Sequence, residues 1–357
     1  MKKNKLLALI LLGGLTLSAC GNQNASSEQN TETAEKNVSE YQSVVKAATL
    51  EEEPRYGSKV KIGFDGDLCI AGQNLADING YFEENGVEIE FVNTKTGKDA
   101  LSSGQLDAMT GEFGSLIVPA TKGLQYVFST ASHSGCKSLY VLDESKYQST
   151  ADMVGQSVAV TNGIGNSGHN TLLRFLIHDD INPDDVTVKP VDAAAVIQSL
   201  ESGEIQGAVL DDQFAQEFLQ SGKIRPVRSL TTDEDFGSEV CCVTAFNKKF
   251  VEQNPMLAEL VAEAIEKGNQ YAAENPAEAV KLLQDKNLAA GDPEVATELL
   301  KAYDYTLTNA DGEATIRSYF DDYKELNLID KNRSTDDLVE ELWRPLGNGE
   351  VEVVKKN

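Results

Sequence analysis

The stretch Leu101-Ser102-Ser103-Gly104-Gln105-Leu106-Asp107-Ala108 has a near-copy much further along, Leu200-Glu201-Ser202-Gly203-Glu204-Ile205-Gln206-Gly207-Ala208. Each copy reads as the last turn of a helix, a glycine C-cap and the start of a buried strand. Each runs on into a polar loop, Thr110-Gly111-Glu112-Phe113 in one and Asp211-Asp212-Gln213-Phe214 in the other. A unit used twice predicts two lobes built to one plan. Strands alternate with helices around both copies. That pattern predicts an α/β chain with a mostly parallel sheet in each lobe and ligands held beyond the strand C-termini.

The first lobe opens with a strand at Val60–Phe64, a helix over Leu75–Phe82 stopped by Asn85-Gly86, and a strand over Val87–Val92. After Phe250 the pattern turns helical. Pro255, Pro276 and Pro293 each start a helix, and further helices are expected over Ala314–Leu326 and Thr335–Trp343. No strand signal intervenes, so this segment reads as a helical cover on the first lobe. The expected boundaries are residues 58–136 plus 247–346 for lobe 1, 137–246 for lobe 2 and 347–357 for a tail.

Residues 1–19 read as a signal peptide, with Lys2, Lys3 and Lys5 ahead of an apolar run from Leu6 to Leu17 that is too short to span a membrane. The run ends Leu17-Ser18-Ala19-Cys20-Gly21, which resembles the lipobox of bacterial lipoproteins. That resemblance implies diacylglycerol on Cys20 and a location on the outer face of the cytoplasmic membrane. Residues 20–57, rich in Asn, Gln, Ser, Thr and Glu, read as a flexible tether. The net charge of −26 argues against nucleic acid and anionic lipid as partners.

Val158–Leu176 reads as strand, polar loop and helix, with Asn166 or Ser167 able to cap the helix and its free N–H groups able to hold a small polar or anionic group. Gly163-Ile164-Gly165-Asn166-Ser167-Gly168 fits G-x-G-x-x-G, but Thr161 and Asn162 intervene between strand and first glycine. A binding-cleft loop is the reading preferred over a dinucleotide site. No catalytic constellation emerges. There is no P-loop and no H-E-x-x-H, and Gly165-Asn166-Ser167-Gly168-His169 misses the nucleophile elbow at its last position.

Several segments together are similar to the bacterial solute-binding proteins of the nitrate, sulfonate, taurine and thiamine-pyrimidine-precursor branch. They are Asn79-Gly80-Tyr81-Phe82-Glu83-Glu84-Asn85-Gly86-Val87-Glu88-Ile89-Glu90, Ala100 to Asp107, Asp152 to Val160, and the Asn254-Pro255 and Asn275-Pro276 helix starts. The resemblance runs from about Lys59 to Leu346. It implies a type II periplasmic-binding-protein fold with a hinge, capture of a small organic solute rather than catalysis, and an ABC permease and ATPase as partners. A monomer and no cofactor are expected with it. Ser167 and His169 stand where sulfonate binders often carry Ser and His. Leu210 and Gln213 replace the Trp and Pro of the family's Trp-Asp-Pro-Phe, a departure that speaks against a sulfonate or taurine ligand. The ligand contacts expected in lobe 1 are Asp67, Cys69, Thr110, Gly111, Glu112, His133 and Gly135. Those expected in lobe 2 are Thr161, Asn166, Ser167, His169, Asp211, Asp212 and Phe214. Enzymes on the same fold, chorismate-dehydratase-like or pyrimidine-synthase-like, and a metal- or haem-binding lipoprotein are the alternatives.

With Cys20 lipidated, Cys69, Cys136, Cys241 and Cys242 remain. Buried thiols, one disulfide involving Cys136, or a soft-metal site with His133 or His169 are all open, although no C-x-x-C or H-x-x-x-H spacing supports the last. The resemblance makes the Cys241-Cys242 strand a neighbour of the strand after Cys136. It therefore implies a Cys136 disulfide to whichever of the vicinal pair faces it. The expected cleft loops hold Asp65, Asp67, Glu112, Asp211, Asp212 and Glu239 and no Lys or Arg. A cationic, zwitterionic or amino-aromatic solute is expected, touching a carboxylate among Glu112, Asp211 and Asp212.

Overall fold

In the computed structural model the structure describes residues 47–64, 67–93 and 96–356. The expected signal peptide, Cys20, the tether up to residue 46 and Asp65 lie outside the described residues.

The chain first lays down β1 (Val60–Phe64), β2 (Ile89–Asn93), β3 (Ala108–Glu112) and β4 (Tyr126–Ser134). It then crosses over for β5 (Lys137–Leu142), β6 (Ser157–Val160), β7 (Thr187–Pro190), β8 (Gly207–Asp211) and β9 (Ile224–Ser229), and returns for β10 (Val240–Asn247). These form two five-stranded sheets, ordered β2-β1-β3-β10-β4 and β7-β6-β8-β5-β9. The two lobes share one plan, as the repeated unit predicts. Gly104 and Gly203 follow matching helices with φ of +76° and +75°, the left-handed conformation that a glycine C-cap supplies.

Each sheet is mostly parallel, as expected: four of its five strands run one way, and a single strand, β10 or β5, runs against them. β1, β2 and β3 are parallel, as are β6, β7 and β8. β10 runs antiparallel to β3 and β4, and β5 antiparallel to β8 and β9. The reason is directional. The parallel strands end at the cleft, and a strand arriving from the other lobe enters at the cleft and must run the opposite way. The expected boundary is corrected by the same fact. β10 belongs to the first sheet, not to a second lobe reaching residue 246, and it pairs with the strand before Cys136 rather than the one after it.

Two further expectations shift. The helix read over Leu75–Phe82 is two, Ala71–Ile78 and Tyr81–Glu84, broken at Asn79-Gly80. Residues 47–57 pack on the first lobe rather than forming tether. Leu50 is buried, Arg55 pairs with Asp107 at 2.8 Å, and the buried Glu53 accepts from Met256 N at 2.7 Å and Leu257 N at 2.9 Å. Glu53 thus satisfies orphan N–H groups at the start of the helix Pro255–Glu274. The tail is bound too, since Glu259 accepts from Gly347 N and Gly349 N, both at 2.9 Å.

The C-terminal helices cover the first lobe as expected. Tyr319, Phe320 and Tyr323 of Asn309–Glu325 join Phe113, Phe128 and Trp343 in one apolar core. Ala258, Val261 and Ile265 of Pro255–Glu274 join Val60, Ile62 and Phe246 in another. Among the described residues no helix is long and apolar enough to cross a membrane.

Glu53→Ala should destabilise the chain by about 1–2 kcal/mol, the scale of a lost helix N-cap. Urea unfolding measures this, and an unchanged midpoint would show that Glu53 contributes nothing to the start of that helix.

Candidate functional site

The strand ends of the two lobes face each other across a cavity of ≈ 1160 Å³. Lobe 1 lines it with Asp67, Cys69, Thr110, Gly111 and Glu112, as expected from the sequence. Lobe 2 contributes the expected Asn166, Ser167, Asp211 and Phe214. Each sits at the end of a strand, in the turn after it or in the first turn of the helix that follows. Asp67 accepts from Cys69 N at 2.7 Å and so starts the short helical turn after β1. Thr110 is buried on β3, its hydroxyl 3.2 Å from that of Thr244.

The cleft also carries cations that the loop sequences do not show. Lys137, the first residue of β5, is buried, with Nζ 2.7 Å from Glu112 Oε1 and paired as well with Asp211. Glu112 belongs to the first sheet and Lys137 to the second, so this pair joins the lobes. Burial pushes the Glu112 carboxyl up, but the Lys137 ammonium and its hydrogen bond outweigh that and hold it below the ordinary value. Burial would equally discharge Lys137, and Glu112 keeps it protonated. Lys98 adds a second bridge, donating to Asn166 Oδ1 at 3.0 Å, and Leu68 N donates to Gln213 Oε1 at 3.0 Å. Lys137 escapes a reading of loops because it opens a strand. A lysine heading the otherwise apolar run Ser138–Leu142 is the signal that could have found it.

Five expected contacts are not on the cavity wall. Asp212 is turned into lobe 2, where Tyr140 OH donates to its Oδ1 at 2.6 Å and the Thr231 hydroxyl to its Oδ2. Burial raises its carboxyl above the ordinary value, and these hydrogen bonds oppose that. Gly135 packs against Thr231, with φ of +85° and no room for a side chain: a Cβ would stand 2.7 Å from Thr231 Oγ1. His169 Nδ1 accepts from Gly165 N at 3.2 Å and so braces the loop, and burial lowers its pKa. Thr161 starts that loop, but Asn162 takes the wall position. His133 is fully buried behind the wall. Asn166 holds the helix N-cap position without capping. Its side chain donates to Asn162 O at 2.5 Å instead. The acidic trio expected to meet a cationic solute is therefore engaged, with Glu112 and Asp211 on Lys137 and Asp212 inside lobe 2.

Cys69, Cys136, Cys241 and Cys242 are free thiols, so the expected Cys136 disulfide is not formed in this structure. The three Sγ atoms of Cys136, Cys241 and Cys242 nevertheless lie within 4.8 Å of one another. Both vicinal cysteines turn toward Cys136, against strict strand alternation. The β10–β4 register shifts between Val240 and Cys242 and again between Cys242 and Val243, and such a bulge suspends the alternation.

Lys137→Met strands two carboxylates. It should cost about 3 kcal/mol at neutral pH, the low end for breaking a buried pair, because both acids keep part of their water. Glu112, depressed in the fold, contributes stability above its ordinary value of 4.5 that fades as pH falls through its folded pKa. Acidification should therefore narrow the gap between the two chains. Urea unfolding across pH tests both points, and a pH-independent gap would show that Glu112 gains nothing from Lys137.

Residues 69–279, more than half the chain, match the family described as "NMT1/THI5 like". The taurine-binding periplasmic protein of Escherichia coli (strain K12) is 26% identical over 220 residues, 59% of this chain. The match spans 65% of that relative's length. Among solved structures, the periplasmic aliphatic sulphonate binding protein SsuA from Escherichia coli superposes with a TM-score of 0.67 at 18% identity, over 84% of this chain and 95% of that one. The periplasmic nitrate-binding protein NrtA from Synechocystis PCC 6803 gives 0.65 at 14% identity, over 80% and 86%. The chain belongs to the NMT1/THI5-like family and carries the two-lobe, type II periplasmic-binding-protein fold.

Proposed function

We propose that this protein captures a small solute between its lobes, outside the cytoplasm, and delivers it to an ABC-type importer. The observation that carries the reading is the ≈ 1160 Å³ cavity walled by polar side chains of both lobes, with Lys137 and Lys98 reaching across it. A cleft of this kind needs only to bind better closed than open, and a hinge of crossing strands permits that. The taurine-binding relative supports the same role. The acidic rim does not choose the solute's charge, because Glu112 and Asp211 already share Lys137. Capture rather than turnover is the reading, with the permease and ATPase subunits of the importer as partners. The Leu17-Ser18-Ala19-Cys20 sequence further supports a lipid anchor on Cys20.

A bound solute should raise the melting temperature and shrink the radius of gyration seen by small-angle scattering. Chemical conversion of that solute, followed by mass spectrometry, would overturn capture. Cys20→Ala should move the protein out of the membrane fraction or leave it unprocessed. Unchanged processing and fractionation would remove the anchor while leaving the binding role intact.

A further inference from the structure

We infer that Cys69, Cys136, Cys241, Cys242 and His133 form a coordination site for a soft metal ion of the copper(I) class, opening onto the cleft. The inference deepens the capture reading, on which it rests only for the ion being cargo.

The five residues come from four separate places: the turn after β1, the end of β4, the crossing into β5, and β10. They converge as two overlapping triads, Cys69–His133–Cys242 and Cys136–Cys241–Cys242, each with its ligand atoms within 4.8 Å of one another. With metal–sulfur bonds of about 2.3 Å, two thiolates on one ion stand at most about 4.6 Å apart, so small side-chain rotations close either triad on an ion. Cys242 is common to both.

His133 supplies an independent observation. Its Nδ1 lies 2.7 Å from Ser134 O, so that nitrogen carries the proton and donates it. Nε2 is left with its lone pair, and it is buried without a hydrogen-bond partner. The ring is stacked on Tyr303 and tilted against Tyr305, with centroids 5.0 and 4.9 Å away, which fixes its direction. An unsatisfied buried acceptor is costly. A histidine whose other nitrogen is pinned by a carbonyl is the arrangement that metal-binding histidines adopt.

The donors decide the class of ion. Sulfur and imidazole favour soft ions, whereas calcium and magnesium need oxygen ligands. The nearby Glu112 is occupied by Lys137. Cys69 and Cys242 line the cavity while Cys136 and Cys241 lie behind them, so an ion enters from the cleft. Each thiol that coordinates gives its proton to solvent, and no change of oxidation state is involved.

The test is an anaerobic titration of the reduced, purified chain with copper(I) against a chromogenic copper(I) chelator. The chain should withhold one equivalent. Cys242→Ser should weaken retention roughly tenfold or more, the lower scale of ligand-sphere damage. Cys69→Ser, at the partly buried wall position, serves as a second variant should Cys242→Ser fail to fold by circular dichroism. Copper(I) lost wholly to the chelator, uptake of several equivalents without a break at one, or folded variants that retain it undiminished would each overturn the site. Small-angle scattering of the loaded chain reads the other half. Binding without compaction overturns the ion as cargo but not the site. Lobe closure by an organic solute, in a chain that refuses copper(I), overturns the site and leaves capture standing.

Discussion

A buried ammonium between two carboxylates from different sheets holds this cleft in shape. Lys137 is almost wholly removed from water, and taking an ion out of water costs several kcal/mol that only close, opposite charges offset. Glu112 on β3 and Asp211 on β8 provide them. The ion group thereby fixes the distance between the two strand ends it joins. It also fixes the crossing itself, because Lys137 directly follows Cys136, which adopts φ of +84°. A non-glycine residue in that region persists only where its surroundings over-determine it. Here they do: Cys136 N donates to Thr231 Oγ1 at 3.0 Å, and Cys136 O accepts from Asp212 N at 2.9 Å. Asp212, turned away from the main cavity, serves the cleft by holding the peptide that aims Lys137 and Cys136.

Strand direction follows from the same crossing. The chain leaves the first sheet at Ser134, enters the second at Lys137, and comes back as β10. Each entering strand is inserted from the cleft side between strands that end there. That delivers Cys242 opposite Glu112, its antiparallel partner on β3, with Cys241 next to it, rather than at a remote edge. The bulge in β10 then turns both thiols toward Cys136. One topological event therefore positions the ion pair and the thiols together, and Cys136 Sγ stands 3.6 Å from Glu112 Oε1.

What was legible in the sequence was local. The Gly104 and Gly203 caps, the polar turns after β1, β3 and β8, and the Asn-Pro helix starts depend on neighbouring residues alone, and the turns among them supplied the part of the cavity wall that the sequence predicts. What was hidden depended on contacts distant in sequence. Glu53 sits in an acidic run whose composition resembles a tether, and only its helix partner, some two hundred positions later, makes it structural. Lys137 reads as one residue of a strand because its acids lie on other strands. Asp211 and Asp212 are adjacent and chemically alike. Which of them faces the cleft is settled by Tyr140 and Thr231 drawing Asp212 inward, a choice that no spacing rule contains. The border of lobe 2 failed for a similar reason, since sheet membership of β10 is a matter of pairing rather than composition.

The electrostatics bear on what such a cleft selects. A cation approaching Glu112 and Asp211 competes with an ammonium already desolvated and in contact, and displacing it leaves Lys137 buried and unpaired, the costly outcome for a charge in low dielectric. An anion approaching Lys137 meets the same two carboxylates. The ion group is thus self-satisfied. The thiols and His133 differ in kind. They are polarisable donors, one of which, Cys136 Sγ, reaches the Glu112 carboxylate, while His133 Nε2 is buried without a hydrogen-bond partner. In a cleft whose charged groups are paired with one another, sulfur and imidazole are the donors whose chemistry differs most from that of the ion group.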